Sequence, residues 1–169
     1  MRFALIATLA LAATACSNQR QDQYEGQLRE ALNKADVSLG EAIVIAENNP
    51  EIAYGARLEV VGDSVFTVRA AANHAATRYS ISLSGELLAA DSVGQGGTPC
   101  GSLSLQDLAA IAEAEVSGQA TSIEPDDDGG CAFEVQVLTS QDLMEVKVSG
   151  SGDVLEVETS DEDGSGEDG

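Results

Sequence analysis

The sequence predicts an α+β fold of two small units, each a helix packed on a three- to four-stranded antiparallel sheet. A capped apolar helix pattern occurs twice, at Ser38-Leu39-Gly40-Glu41-Ala42-Ile43-Val44-Ile45-Ala46-Glu47 and at Ser104-Leu105-Gln106-Asp107-Leu108-Ala109-Ala110-Ile111-Ala112-Glu113. Each copy is followed by three or four short segments in which apolar and polar residues alternate, the period of a strand with one buried face. The copies recur at an interval of about 65 residues, which is the signature of an internal repeat. A unit of that size barely offsets its chain entropy alone, so docking between copies or a covalent staple is expected.

The N-terminus reads as a signal. Met1-Arg2 is a positive start, residues 3–13 form an apolar run too short to span a membrane as a mature helix, and Ala13-Thr14-Ala15-Cys16 is a small-residue cleavage site. Cleavage after residue 15 leaves Cys16 first. The pattern resembles a bacterial lipobox, with Ala13 where Leu is commoner, and the resemblance implies acylation of Cys16 and stable anchoring by several acyl chains. Ser17 at the next position favours the outer membrane, facing the periplasm, over inner-membrane retention. Residues 16–37 are then the lipidated N-terminus and a polar tether. Tyr24, Leu28, Ala31, Leu32 and Ala35 recur at helical spacing in its distal half, which predicts an amphipathic helix docked on the first repeat.

The first repeat occupies residues 38–93. Ser38-x-x-Glu41 is a capping box, and Asn49-Pro50 ends the helix that it opens. Strands follow at Ala56, Leu58 and Val60, then at Phe66, Val68 and Ala70, then at Tyr79, Ile81 and Leu83, with a short last strand near Leu87-Leu88. Residues 94–102 form a Gly-rich linker. It lacks the Lys and the strand-to-helix context of a phosphate loop.

The second repeat occupies residues 103–159. Ser104-x-x-Asp107 caps its helix and Gly118 stops it; strands are read at residues 121–124, at Phe133, Val135 and Val137, at Met144, Val146 and Val148, and at residues 154–157. From 160 to 169 only Ser, Asp, Glu and Gly occur, a composition that cannot bury enough apolar surface to order itself.

These residues resemble a PepSY domain, repeated in tandem. The resemblance rests on the Leu-x-x-Ala-Ile-x-x-Ala helix at Leu39 to Ala46, on its counterpart from Leu105 to Ala112, and on the strand-turn-strand from Glu145 to Leu155. The family pattern for the last element is Val-x-Val-Asp-x-x-Thr-Gly-Glu-Val; here the turn is one residue shorter, with Ser149 where the Asp is common and Ser151, before Gly152, where the Thr is. The resemblance implies recognition of a peptide or a peptidase, with peptidase inhibition or propeptide-like chaperoning as the expected roles.

Charge narrows the partners. With 29 acidic and 8 basic residues the formal charge is −21, and removing residues 1–15 takes one Arg and no acid, giving −22. Such a chain repels nucleic acid and anionic surfaces. Salty surroundings, a basic partner or multivalent cations would each account for the acidity. Cys100 and Cys131 remain once Cys16 is lipidated, and an oxidising envelope favours their pairing. The antiparallel run of helix and first strand returns Cys131 towards Cys100. A metal or catalytic role would need a CxxC or a nearby His, and neither is present. His74, the only histidine, sits in a loop, and Asp126-Asp127-Asp128 before Gly129-Gly130 reads as a hairpin whose spacing does not match a calcium loop. No metal ligand set, cofactor or catalytic group is expected, and the binding residues are not assigned by sequence.

The expected function is that of a non-enzymatic, lipid-anchored envelope protein that binds a peptide or protein. The alternative is a structural or cation-responsive acidic lipoprotein with no peptidase partner.

Overall fold

The computed structural model describes residues 11–48, 51–97, 100–126 and 130–160. The expected helix stop at Asn49-Pro50 and most of the acidic tail lie outside the described residues, as do Asp127 and Asp128. Three helices, α1 (Leu11–Lys34), α2 (Leu39–Glu47) and α3 (Leu105–Val116), accompany eight strands. The strands are β1 (Ile52–Glu59), β2 (Val65–Ala72), β3 (Ala75–Ser82), β4 (Leu87–Gln95), β5 (Gln119–Pro125), β6 (Ala132–Leu138), β7 (Leu143–Ser149) and β8 (Val154–Thr159). The fold is α+β.

Both capping boxes form. The Glu41 amide donates to Ser38 Oγ at 3.2 Å while the Ser38 amide donates to Glu41 Oε2 at 2.7 Å, and Ser104 and Asp107 repeat the exchange at 3.2 and 3.3 Å. Each cap satisfies two helix-end groups that would otherwise lack partners. The helix of the second copy ends with Ser117 in the left-handed region (φ 57°), one residue before Gly118. Gly118 is needed for a different reason: a Cβ there would lie 2.6 Å from the Leu138 carbonyl oxygen.

Equivalent residues close equivalent bonds in the two copies. Glu47 and Glu113, tenth in the aligned blocks, accept from the Ala53 and Ala120 amides at 3.0 and 2.8 Å. Each of those alanines sits beside a register shift, on β1 against β2 and on β5 against β6. The β3–β4 and β7–β8 turns are near copies as well. In one the Glu86 amide donates to Ser82 Oγ and in the other the Asp153 amide donates to Ser149 Oγ, both at 3.0 Å, with Gly85 (φ 83°) and Gly152 (φ 93°) supplying the left-handed step. Ser149 thus caps the turn.

The eight strands form one sheet in the order β4-β3-β2-β1-β5-β6-β7-β8, antiparallel throughout. The copies therefore share a sheet where two separate small ones were expected. The seam is the antiparallel β1–β5 pairing, registered at Ala56 with Ile123 and at Arg57 with Ser122. Sequence patterning specifies which face of a strand is apolar, and it does not specify which edge meets which. Sharing the sheet also supplies the stabilisation that units of this size lack, because both helices contribute to one core. Leu39, Ile43, Leu105 and Leu108 on the helices and Phe66, Ile81, Ile123, Val135 and Val146 on the strands are buried in it. The two helices meet near Gly40 and Gln106, which occupy equivalent places in the copies; a Cβ at Gly40 would lie 3.3 Å from Gln106 Cγ.

The N-terminal segment differs most from expectation. It is helical from Leu11 to Lys34, where a tether with a helix only in its distal half was read. Leu28 and Ala31 of the predicted stripe are buried. Its side-chain bonds go to the second repeat, although docking on the first was expected: the Arg29 guanidinium donates to the carbonyls of Thr139 and Gln141 at 2.6 and 2.9 Å. Those carbonyls belong to the β6–β7 turn, whose own ladder leaves them open. Beyond the helix, the Asp36 and Val37 amides donate to Leu83 O at 2.8 and 3.3 Å, which ties α1 to the first repeat too. No helix among the described residues is long and apolar enough to cross a membrane.

Candidate functional site

Among the described residues, pairing of β1 with β5 uses the inner edge of each copy and leaves the outer edges, β4 and β8, without a neighbouring strand. The two differ. β4 is nine residues long and exposed along almost its whole length, with Leu87, Leu88 and Val93 accessible and Asp91 its one charge. β8 is six residues long and carries Glu156 and Glu158 beside the exposed Leu155 and Val157. Short length and charge are the devices by which an edge resists pairing, so β4 is the less protected of the two. An open edge presents alternating amide and carbonyl groups that an extended segment can bond.

The sheet face opposite α2 and α3 is polar and divided by sign. On the first copy it holds Arg57, Arg69 and Arg78, paired respectively with Glu59 at 3.2 Å, with Glu124, and with Asp91 at 3.7 Å. The Arg69–Glu124 pair crosses the seam over Gly55. A Cβ at Gly55 would lie 2.6 Å from the Arg69 guanidinium and 2.8 Å from the Glu124 carboxylate, so the glycine leaves room for the bridge. Arg69 also lies 5.4 Å from the centre of the Tyr54 ring, within cation–π range.

On the second copy the same face gathers Glu134, Glu145, Glu156 and Glu158 around Lys147, whose ammonium reaches Asp126 at 2.7 Å. Burial raises the Glu145 pKa above the ordinary carboxylate value, and the charges of Glu134 and Glu158 raise it further. Among the described residues, no three His, Cys, Asp or Glu side chains converge as a metal would require.

The residues singled out from sequence scatter. Cys16 lies within α1, and its side chain is outside the described residues. Cys100 and Cys131 are joined in a disulfide with their Cα atoms 5.6 Å apart, beside Gly150, whose amide donates to the Cys131 carbonyl at 2.7 Å. His74 is exposed in the two-residue β2–β3 turn, where it and Asn73 have φ of 68° and 50°, a geometry that matches the twist of the flanking strands. Asp126 is held by its ion pair with Lys147 and by its amide, which donates to Ala132 O at 3.0 Å. Apart from the Cys100–Cys131 pair, these residues lie apart from one another among the described side chains.

Sequence reading passed over Glu51, whose carboxylate accepts from Thr77 Oγ1 at 2.9 Å and from the Tyr79 hydroxyl at 2.8 Å, tying the α2–β1 connection to β3. Burial raises the Tyr79 pKa, and the bond to Glu51 adds to the rise. It also passed over a cleft of about 360 Å³ beside α1, bounded by Arg29, Asn33, Ser117, Gln119 and Ser140. Only the identical position of Glu47 and Glu113 in the aligned blocks carried a signal for the buttress they make.

No protein-family model matches the chain, and no curated protein matches it. Among solved structures the chain is similar to a candidate lipoprotein of Clostridium difficile 630, with 16% identity and a TM-score of 0.42 over 69% of this chain and 87% of that one. The PepSY resemblance therefore rests on the residues quoted above.

Proposed function

We propose that this is a non-enzymatic envelope protein, anchored by a lipid on Cys16 to the outer membrane and facing the periplasm, whose paired PepSY-like modules bind an extended peptide or protein segment. The observation that carries the reading is the fate of the edges: the inner edge of each copy is used in the seam, and the nine-residue β4 is left exposed along almost its whole length with three large apolar side chains accessible. Main-chain bonds along such an edge give affinity and the alternate side chains give selectivity. A peptidase whose cleft takes extended substrates, or a secreted protein not yet folded, has the required chemistry. The resemblance to protease propeptide modules points the same way.

Affinity capture of envelope proteins on the mature chain, with and without residues 160–169, should recover a peptidase or other specific protein. Leu88→Lys and Val93→Lys place charge on the exposed edge, and both should abolish capture while leaving thermal stability nearly unchanged. Capture that survives both substitutions would overturn the edge reading.

The second reading is a cation-responsive structural lipoprotein, favoured by the carboxylates of Glu134, Glu145, Glu156 and Glu158 on one face. It predicts no specific capture, together with a melting temperature that rises with added calcium.

A further inference from the structure

Helix α1 does more than lead from the anchor to the fold. It runs across the strand ends as a strut. Near its midpoint the Gln21 side-chain amide donates to Ser160 Oγ at 3.4 Å, at the end of β8. Farther along, Arg29 holds the β6–β7 turn and Leu28 is fully buried. Just past its end the Asp36 amide bonds Leu83, in the β3–β4 turn. From Gln21 to Lys34 the helix rises about 20 Å. Gln21 lies beside one outer edge of the sheet, and the C-terminal end of the helix leads to the other.

Resting on the lipid-anchor reading of Cys16, we infer that α1 fixes the orientation of the protein on its membrane, with the β8 edge towards the lipid and the β4 edge away from it. The helix is continuous through residue 16. Five residues separate Cys16 from Gln21, a rise of about 7.5 Å, so the acyl chains enter the bilayer close to the end of β8. A flexible tether would let the fold tumble, whereas a helix pinned at Gln21, Leu28 and Arg29, and just past its end at Asp36, does not. Seven interstrand spacings put β4 up to about 34 Å farther from β8.

The charge distribution is consistent with a role for this spacing. The lipid-side edge carries Glu156 and Glu158 and would be repelled by anionic headgroups, so the surface that fits is a zwitterionic one. The exposed apolar residues of β4 are then held clear of the lipid in which they could otherwise be lost.

The test uses the full chain matured in cells, reconstituted in phosphatidylcholine vesicles that carry an acceptor dye on the lipid headgroup. A donor dye is placed on Glu158→Cys in β8 or on Ser92→Cys in β4, the native cysteines being acylated or paired. Energy transfer from position 158 should exceed that from position 92 at least about threefold, given the separation across the sheet. Arg29→Ala releases the strut from the β6–β7 turn, so the difference should narrow while the chain still floats with the vesicles. Equal transfer from the two positions, or the reverse order, in a chain that floats would overturn the orientation alone. Failure to float would overturn the lipid anchor and the orientation with it.

Discussion

Removing the disulfide should cost more stability than any surface change. Cys100→Ala/Cys131→Ala removes a bridge between residues 31 apart in sequence, and the loop it closed contains all of α3 and β5. On the chain-entropy description a loop of that length contributes about 3.7 kcal/mol at room temperature by restricting the unfolded chain. The native side changes little, because Ser102 still donates to Gly150 O at 2.9 Å and Gly150 to Cys131 O. For a domain of this size the loss corresponds to a melting temperature lower by about 10 °C. Thermal denaturation followed by circular dichroism, with urea titrations to check that the slope is unchanged, measures it. Thiol alkylation of the unreduced parent protein should modify neither residue. A melting temperature lowered by less than about 2 °C at constant slope would refute the reasoning, since it would mean that the unfolded chain gains nothing when the loop opens.

Glu145 gives a dependence on pH. Its pKa in the fold lies above that of the unfolded chain, so the native protein binds more protons between the two values and stability falls as pH rises through that interval. Glu145→Gln should therefore stabilise the protein at neutral pH and flatten the profile; urea midpoints that fall on substitution would contradict this. Ser38→Ala and Ser104→Ala should each cost about 1 kcal/mol, because the two capping boxes are alike. Chemical denaturation that finds one cap silent would show that its helix end is satisfied by another route.

The helices and strands were legible because their signals are local. Ser38 with Glu41 and Ser104 with Asp107 mark helix starts within four residues, and the alternation around Phe66, Val135 and Val146 shows which face is buried. What escaped was contact between distant segments. The meeting of Ala56 with Ile123 has no signature in either strand, since an edge residue and an inner residue of an antiparallel sheet can have the same composition. The extension of β4 to Gln95 runs into a stretch read as linker, because an exposed edge strand has no buried face to impose alternation. Docking of α1 depends on Arg29 finding two carbonyls more than a hundred residues away. The candidate site shared this difficulty, since an open edge is defined by the strand that fails to arrive.

The seam between the copies has a mechanical consequence. If a partner is drawn on β4 while the chain is held through α1 beside β8, tension runs at right angles to the strands and loads their ladders one after another. Every other pairing is registered over at least five positions, and the seam over two, with the Arg69–Glu124 bridge and the packing of α2 against α3 as reinforcement. Force applied in that direction should therefore part the molecule between β1 and β5 first. Each half would keep its own helix and four strands, so the protein would yield at its centre and could reseal when the pull ends.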